Sequence, residues 1–406
     1  MNVPDDPEAF RAELSDWLDT HAPTALHGTA STPFQGHRGG ADSDFETQHH
    51  KTWFDTCLAL GLTAPTWPKA YGGAGLSVHH GRVWKQELRK RGLPLPLVGF
   101  GLTMIGPILL EEGNEEQKQS FLPGIIRGEV RWCQGYSEPG AGSDLASLRC
   151  KAVRDGDQYV VNGQKIWTSH ADKSDWIFCL VRTSDEGVKQ QGITFLLIDM
   201  ASAGVTVRPI ELISGASPFC ETFFEDVRVP VANVVGTVDE GWAVAKALLR
   251  HERGMVGESV AAGGARLPIL FTYTLRDHAL DAIGLDEDGV LAEPLIRDAL
   301  VRSEMEQEAM RQTLRRANDR IRSGDRPGPE SSIFKVVGTE LNMRRWDLAV
   351  EIADLDGLHW EGDPHCDRDV AMTRQWLRSR GNSIEGGTSE IQRNIIARRV
   401  LGMPKP

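Results

Sequence analysis

Tyr136-Ser137-Glu138-Pro139-Gly140-Ala141-Gly142-Ser143-Asp144 and, further along, Asn162-Gly163-Gln164-Lys165-Ile166-Trp167-Thr168-Ser169 are the two stretches on which the fold is read. The first is too rich in glycine for a regular element. Its backbone can bend close to a ligand, so that successive N–H groups point at an anion or a carbonyl, and Ser137 and Ser143 add hydroxyl donors. It is neither GxGxxG nor a phosphate loop ending in Gly-Lys-Ser/Thr. Taken alone it also reads as a plain turn between domains. The second stretch places an indole at a strand end, where it can stack on a planar ring, with the Ser169 hydroxyl two positions later on the same side. Taken alone, Trp167 also reads as an ordinary core tryptophan.

The surroundings of these stretches are β-like. From Lys151 to Ser169, Asp155-Gly156 and Asn162-Gly163 stand between short alternating runs as two hairpin signals. Trp176 to Arg182, Ile193 to Asp199, Val205 to Ile210 and Thr222 to Val229 follow, predicting a compact antiparallel β domain ending near Gly236. On the N-terminal side the periodicity is helical. Phe10, Leu14, Trp17 and Leu18 share one helix face, Trp53, Phe54, Cys57 and Leu58 mark another, Ser77 caps a helix running to Gly92, and one more spans Glu115 to Arg127. On the C-terminal side Gly241 opens a helical pattern. Met310, Leu314, Ala317 and Ile321 line a long helix ended by Gly324. The order is helical, then β, then helical.

Composition bounds the function. The 406 residues are 25% charged and 40% apolar, enough for two or three domains with a sizeable core. Lys and Arg number 45 against 57 Asp and Glu, a net charge of −12. Such a chain is a poor partner for nucleic acid or an anionic membrane, and any anionic ligand must find a local positive site. The six cysteines, Cys57, Cys133, Cys150, Cys179, Cys220 and Cys366, form no CxxC pair, which argues against a metal site and reads as small buried apolar residues. The N-terminus has no signal-peptide pattern and no apolar run is long enough to span a bilayer, so cytoplasm is the expected location.

Together the two quoted stretches are similar to the flavin motifs of the acyl-CoA dehydrogenase family. Gly387-Thr388-Ser389-Glu390-Ile391-Gln392-Arg393-Asn394 resembles that family's C-terminal motif. The resemblance covers essentially the whole chain, in the expected order. It implies an α+β fold: a helical N-terminal domain over 1–132, a β-barrel or sandwich middle domain over 133–240, and a C-terminal four-helix bundle over 241–406. It further implies FAD, an acyl-CoA substrate and an electron-transfer flavoprotein as electron acceptor. The assembly it implies is a homotetramer or an α2β2-type heteromer with a paralogous chain.

Carried onto this sequence, the resemblance assigns roles residue by residue. Tyr136 and Ser137 match positions whose backbone and hydroxyl contact the flavin's pyrimidine end. Gly142 and Ser143 match those lining the pyrophosphate and the CoA thioester, with Ser143 also a substrate contact. Trp167 matches the tryptophan that packs on the isoalloxazine, and Ser169 stands where many members have a threonine donating toward the flavin's N5 and O4 edge. Thr388 and Glu390 match contacts to the adenine dinucleotide, Glu390 replacing a common glutamine.

The reaction implied is α,β-dehydrogenation, in which a carboxylate removes the α-proton as the β-hydrogen leaves as hydride to flavin N5. An aliphatic α C–H is a very weak acid, so fixed donors must stabilise the developing enolate in a dry site. Of the family's two base positions, one precedes the Gly-Thr of the C-terminal motif and is Gly386 here, with Glu385 one residue too early. The other is a glutamate directly before an arginine in the first C-terminal helix, which Glu252 and Arg253 match; Arg253 joins the substrate contacts. Two departures accompany this. Around Arg276 to Gly284 there is no arginine followed by Phe-Gly of the kind that reaches a neighbouring subunit's FAD, and Asp354-Leu355-Asp356-Gly357 replaces the usual Gly-Gly-Asn-Gly loop. Some bacterial relatives lacking these contacts assemble as two-gene heteromers. Two alternatives stay open beside the dehydrogenase: an FAD-binding subunit of a heteromer, and an O2-reactive flavin oxidase or monooxygenase of the same fold.

Overall fold

The computed structural model describes residues 3–30, 35–249, 274–322, 328–329, 331–360 and 371–404. The chain divides into two compact units, Met1–Ile210 with Ser217–His251, and Glu211–Ala216 with Glu252–Pro406.

The first unit opens with helices whose ends follow local chemistry. In α1 (Pro7–His21) the Asp6 carboxylate accepts the Ala9 N–H, and Phe10, Leu14, Trp17 and Leu18 are buried. With α2 (Gln48–Leu58) and α3 (Val78–Arg91) these side chains form one core around Trp53 and Trp84. Ser77 caps α3 and Gly92, left-handed at φ 62°, ends it. Next come α4 (Gly106–Glu112) and α5 (Glu115–Ile126), the latter opened by a capping box between Asn114 and Gln117. The Gln117 amide also donates to Ala232 O at 2.8 Å and Val234 O at 2.7 Å, fixing α5 to the sheet.

That sheet has eight strands: β1 (Trp132–Gly135), β2 (Lys151–Asp155), β3 (Gln158–Ser169), β4 (Trp176–Arg182), β5 (Ile193–Asp199), β6 (Val205–Ile210), β7 (Phe219–Pro230) and β8 (Val234–Val235). Their order is β6-β7-β3-β2-β4-β5-β8, with β1 beside β4. Pairing is mostly antiparallel, but β1 and β2 run parallel to β4, so the sheet is mixed. β4 and β5 are covered on both faces, which is why they read as continuous apolar runs. Phe178, Leu180, Phe195 and Leu197 pack with Ile108, Leu122 and Ile125 of the helices, while Ile177, Cys179, Val181, Leu196 and Ile198 fill a second core with Val161 and Val227. Residues 241–249 form α6, whose Val244, Ala245 and Leu248 join the first of these cores.

One sequence expectation is corrected here. β2 and β3 do form a hairpin, Asp155 opposite Gln158 with Gly156 at φ 62°. Asn162-Gly163, however, is no turn: β3 runs straight through it against β7. The Asn162 side chain bonds Asp226 on β7 in both directions, Nδ2 to Oδ1 at 3.0 Å and Asp226 N to Oδ1 at 2.9 Å. The irregularity becomes a bulge on β7, with Asp226 at φ 52°.

In the second unit α9 (Ser331–Ala353) is central, and α7 (Leu275–Ala282), α8 (Pro294–Arg322), α10 (Ala371–Ser379) and α11 (Ser389–Ile395) all pack on it. Met310 and Leu314 of α8 are buried with Phe334 and Leu341 of α9. Gly324 lies outside the described residues. No described helix is long and apolar enough to cross a membrane.

Candidate functional site

The chain leaves β1 at Tyr136, whose ring is buried edge-on to Phe178 and Phe195, at 6.2 and 6.4 Å between centroids. With the ring in the core, the backbone starts the glycine-rich loop. Glu138 and Ala141 exchange backbone hydrogen bonds at 3.1 and 3.0 Å, closing a tight turn over Pro139-Gly140. Gly140, Gly142 and Ser143 are exposed, and a Cβ at either glycine would meet nothing within 4 Å. The space over the loop is therefore open. Beyond it Asp144 accepts from Lys189 at 2.6 Å and from Ser147, which hold its carboxyl below the ordinary range.

A buried ion pair anchors this loop. Lys165 is fully buried, and its ammonium donates to Glu138 Oε1 at 2.7 Å and Tyr136 O at 3.2 Å. The Glu138 carboxylate also accepts the Arg149 N–H at 2.6 Å and the Cys150 N–H at 2.9 Å. With its acceptors filled, the buried charge is tolerated and the loop is fixed in place. Burial alone would lower Lys165; Cys179, Cys150 and Glu138 outweigh it and hold the ammonium above its usual value.

The strand carrying Lys165 then breaks register. Lys165 pairs with Thr222 and Thr168 with Cys220, so Ile166 and Trp167 share the span that one β7 residue, Glu221, occupies. The bulge frees the Ile166 N–H, which donates to Ser137 O at 2.9 Å and ties the strand end to the loop. It also puts Trp167 at φ 61°, a left-handed value uncommon for a bulky side chain, with the indole 52% exposed and edge-on to Phe219 at 6.0 Å. An exposed tryptophan in a strained conformation carries a cost of about 1–3 kcal/mol, and such strain clusters at functional sites. Ser169 is half-buried and next to it His170 is again left-handed, at φ 53°. Burial, then the charges of Arg131 and Arg38, press the His170 imidazole down to about 4, leaving it neutral at physiological pH.

In the second unit the C-terminal motif follows another pinned loop. Lys335 of α9 donates to Asn382 O and Ser383 O, both at 3.1 Å, and Asn342 bonds the Asn382 side chain at 2.8 Å. Glu385 is held by Arg378 at 2.7 Å and by the Asn382 amide. Gly386 and Gly387, at φ 62° and 89°, turn the chain into α11, which Thr388 caps by accepting the Ile391 N–H at 3.2 Å. Glu390 is exposed, 3.9 Å from Arg393. Asp354–Leu358 form a 3-10 turn with Asp354 at φ 50° and Leu355 and Leu358 exposed, and Thr373 bonds Gly357 O at 2.7 Å.

The structure thus ties the two stretches together, Ile166 N–H to Ser137 O and Lys165 to Tyr136 O, with Gly142 and Ser143 following on the same loop and Trp167 and Ser169 on the same strand. Thr388 and Glu390 belong to the other unit, and Glu252 and Arg253 lie outside the described residues. Sequence reasoning missed the Glu138–Lys165 pair. The signal was there: Lys165 is in phase with Tyr159 and Val161, the inward positions of β3, and a lysine at an inward position requires acceptors, a carboxylate or carbonyls, within the protein.

The donor loop beside an outward indole fits a planar, phosphate-bearing cofactor, and comparison with known proteins agrees. Three family models match: acyl-CoA dehydrogenase N-terminal domain at residues 37–129, middle domain at 133–227 and C-terminal domain at 239–401. Acyl-CoA dehydrogenase IpdE1 of Mycobacterium tuberculosis is 36% identical over 406 residues, 98% of each chain. Among solved structures, a chain of the Tcur3481-Tcur3483 steroid ACAD is 30% identical with a TM-score of 0.75, and one of the ChsE4-ChsE5 complex of M. tuberculosis is 30% identical with a TM-score of 0.73, each covering 100% of both chains. Matched along its whole length, the chain belongs to the acyl-CoA dehydrogenase family, flavin-dependent oxidoreductases acting on acyl-CoA.

Proposed function

We propose that the protein binds FAD and dehydrogenates an acyl-CoA thioester between its α and β carbons, giving the trans-2-enoyl-CoA. The observation that carries this is the bulged end of β3, which turns Trp167 outward while tying its neighbour to the donor loop. In this reading Trp167 offers its face to the isoalloxazine, and Ser137 and Ser169 donate to the ring edge. Gly142 and Ser143 leave room for the pyrophosphate and the thioester, and Thr388 and Glu390 serve the adenine half. When bound, FAD supplies a two-electron acceptor for the hydrogen leaving the β-carbon. Glu252 takes the α-proton, with Arg253 beside the substrate. Glu385 is poorly placed for that task, since Arg378 and the Asn382 amide already hold its carboxylate.

The acyl group is proposed to be bulky and ring-bearing, which the likeness to a steroid ACAD supports. The test is anaerobic loss of flavin absorbance at about 450 nm against a panel of straight, branched and ring-bearing acyl-CoAs. Glu252→Gln should stay yellow with turnover down by about 10²–10⁴-fold, while Glu385→Gln bleaches. A dead Glu385→Gln beside an active Glu252→Gln would reverse the base assignment. Stoichiometric hydrogen peroxide during turnover would point to an oxidase instead. Electrons are proposed to pass to an electron-transfer flavoprotein.

A second reading has its own support: both solved relatives named above are complexes of two differently named chains. We infer that this chain works as one half of a heteromer, its partner supplying the FAD contacts that the Arg276–Gly284 and Asp354–Gly357 segments lack. A flavin-loaded, active homo-oligomer purified from expression of this chain alone would overturn that.

A further inference from the structure

Gly142 and Ser143, at the exposed end of the glycine-rich loop, make no hydrogen bond of their own among the described residues. Their place is therefore set by what holds the chain on either side. Upstream is the Glu138–Ala141 turn with its Lys165 anchor. Downstream is a second cation. Arg182, at the end of β4, is 8% exposed, and its Nη2 donates to Ala146 O at 2.7 Å and more weakly to Leu148 O at 3.5 Å. The same guanidinium reaches the hairpin between β4 and β5, from Nη2 to Lys189 O at 3.0 Å and from Nη1 to Gln191 O at 2.6 Å. A planar fork suits carbonyls that diverge in this way, whereas a single ammonium could not reach them all. The hairpin is itself fixed: the Gly192 N–H donates to Asp239 O at 3.1 Å, and Thr183 Oγ1 donates to the Asp239 carboxylate. From the hairpin the Lys189 ammonium returns to Asp144, the residue after Ser143, at 2.6 Å. Arg182 thus closes a ring that runs from Asp144 through Lys189 and back by way of Ala146.

We propose that Arg182 is a positioning residue for the thioester end of the site, holding Gly142 and Ser143 against the hairpin, while Lys165 separately holds the Tyr136–Ser137 end. The inference rests on the function proposed above, in which Ser143 faces the acyl-CoA thioester. The two cations share no acceptor: Lys165 takes Tyr136 O and the Glu138 carboxylate, and Arg182 takes the four carbonyls of Ala146, Leu148, Lys189 and Gln191. The two ends of the loop can therefore be loosened one at a time. Loosening the Lys165 end disturbs the seat of the flavin ring. Loosening the Arg182 end leaves Ser137 and Trp167 where they are and displaces only the donors that meet the substrate, so the loss falls on acyl-CoA binding.

The experiment is steady-state kinetics of the flavin-loaded holoenzyme, with FAD in excess and the acyl-CoA that reduces the wild type best, alongside the flavin content and spectrum of each variant. Arg182→Lys keeps the charge but not the fork. It should raise KM about tenfold with kcat within about twofold, at unchanged flavin content and spectrum. Arg182→Met, which loses every one of these bonds, should raise KM further, so that lysine counts as a partial rescue. Lys189→Met touches only exposed groups and should fold like the wild type, with KM raised about two- to threefold. An Arg182→Lys enzyme whose activity falls only in proportion to its bound flavin, at unchanged KM, would overturn the proposal. So would an unchanged KM in both Arg182→Lys and Lys189→Met, whether or not Arg182→Met folds. A flavin-loaded wild type that no acyl-CoA reduces is a different failure, since it defeats the proposed function and this inference with it.

Discussion

Two glycine-rich loops, one in each unit, are held by the same device and by opposite electrostatics. In the first, Lys165 reaches the carbonyl of Tyr136 and has Glu138 as a carboxylate partner at 2.7 Å. In the second, Lys335 reaches the carbonyls of Asn382 and Ser383, and among the described residues no carboxylate lies within 4 Å of it. Burial lowers Lys335, only partly offset by the more distant Glu385, Glu390 and Glu340, whereas Lys165 stands above its usual value. The contrast teaches that a lysine can fasten a loop either as half of a buried ion pair or simply as a donor to carbonyls. The first is rigid and intolerant of losing one member. The second is cheaper to lose.

The largest effect should come from Lys165→Met. It strands the Glu138 carboxylate among buried groups, at about 3–5 kcal/mol, and frees the loop, so urea denaturation should shift strongly and bound flavin should fall. Glu138→Gln made together with Lys165→Met should recover much of that loss, because no buried charge is then left alone. A double variant as unstable as the sum of the singles would break the ion-pair account. Lys335→Met should cost less, about 1–3 kcal/mol for two carbonyls left unmatched, with the Gly386-Gly387 turn loosened in hydrogen exchange. Equal losses for the two lysines would erase the comparison.

Trp167→Gly probes the strand end that the first loop supports. A glycine takes φ 61° without strain, so folding stability should rise by about 0.5–1 kcal/mol while flavin retention falls. A destabilised Trp167→Gly that still holds flavin would show that the indole serves packing, not the cofactor.

The smallest effect is in pH. Lys165 has a folded pKa above its unfolded value, so its contribution is complete below the unfolded value and is lost only as pH climbs through the higher folded one. Lys335 has the reverse order, so stability is gained as pH rises from its folded toward its unfolded value. As pH rises toward the ordinary lysine value of about 10.4, urea midpoints of wild type should therefore gain on Lys335→Met while holding level against Lys165→Met. Parallel curves would refute the difference in environment.

Much of the fold was legible because it rests on local pattern. The ends of β4, β5 and β6, the Ser77 cap and the Gly92 stop all follow from neighbours in sequence. Asn162-Gly163 misled because its decisive partner, Asp226, is far away along the chain, and a side-chain bond across strands outweighed the turn tendency of the dipeptide. At the site, the motifs marked Tyr136, Ser137, Trp167 and Ser169, and the Ile166 N–H to Ser137 O bond joins the two stretches that carry them. The Glu138–Lys165 clamp was hidden by a habit of reading charge as surface, although the phase of β3 marked Lys165 as inward. The contacts assigned to Thr388 and Glu390 rest on motif likeness, since neither side chain shows an unusual environment of its own.

The single extra residue in β3 has a consequence for how this protein can change. In an unbroken strand one position would lie opposite Glu221, and it would have to serve both as tether to Ser137 and as bearer of the ring. The added residue separates these duties: Ile166 spends its amide on the tether while Trp167 keeps its side chain free. Point substitutions at Trp167 can therefore vary what the strand presents without unfastening the loop. A one-residue deletion there would leave the ladder intact and still abolish one duty or the other, so along this stretch length is guarded more closely than identity.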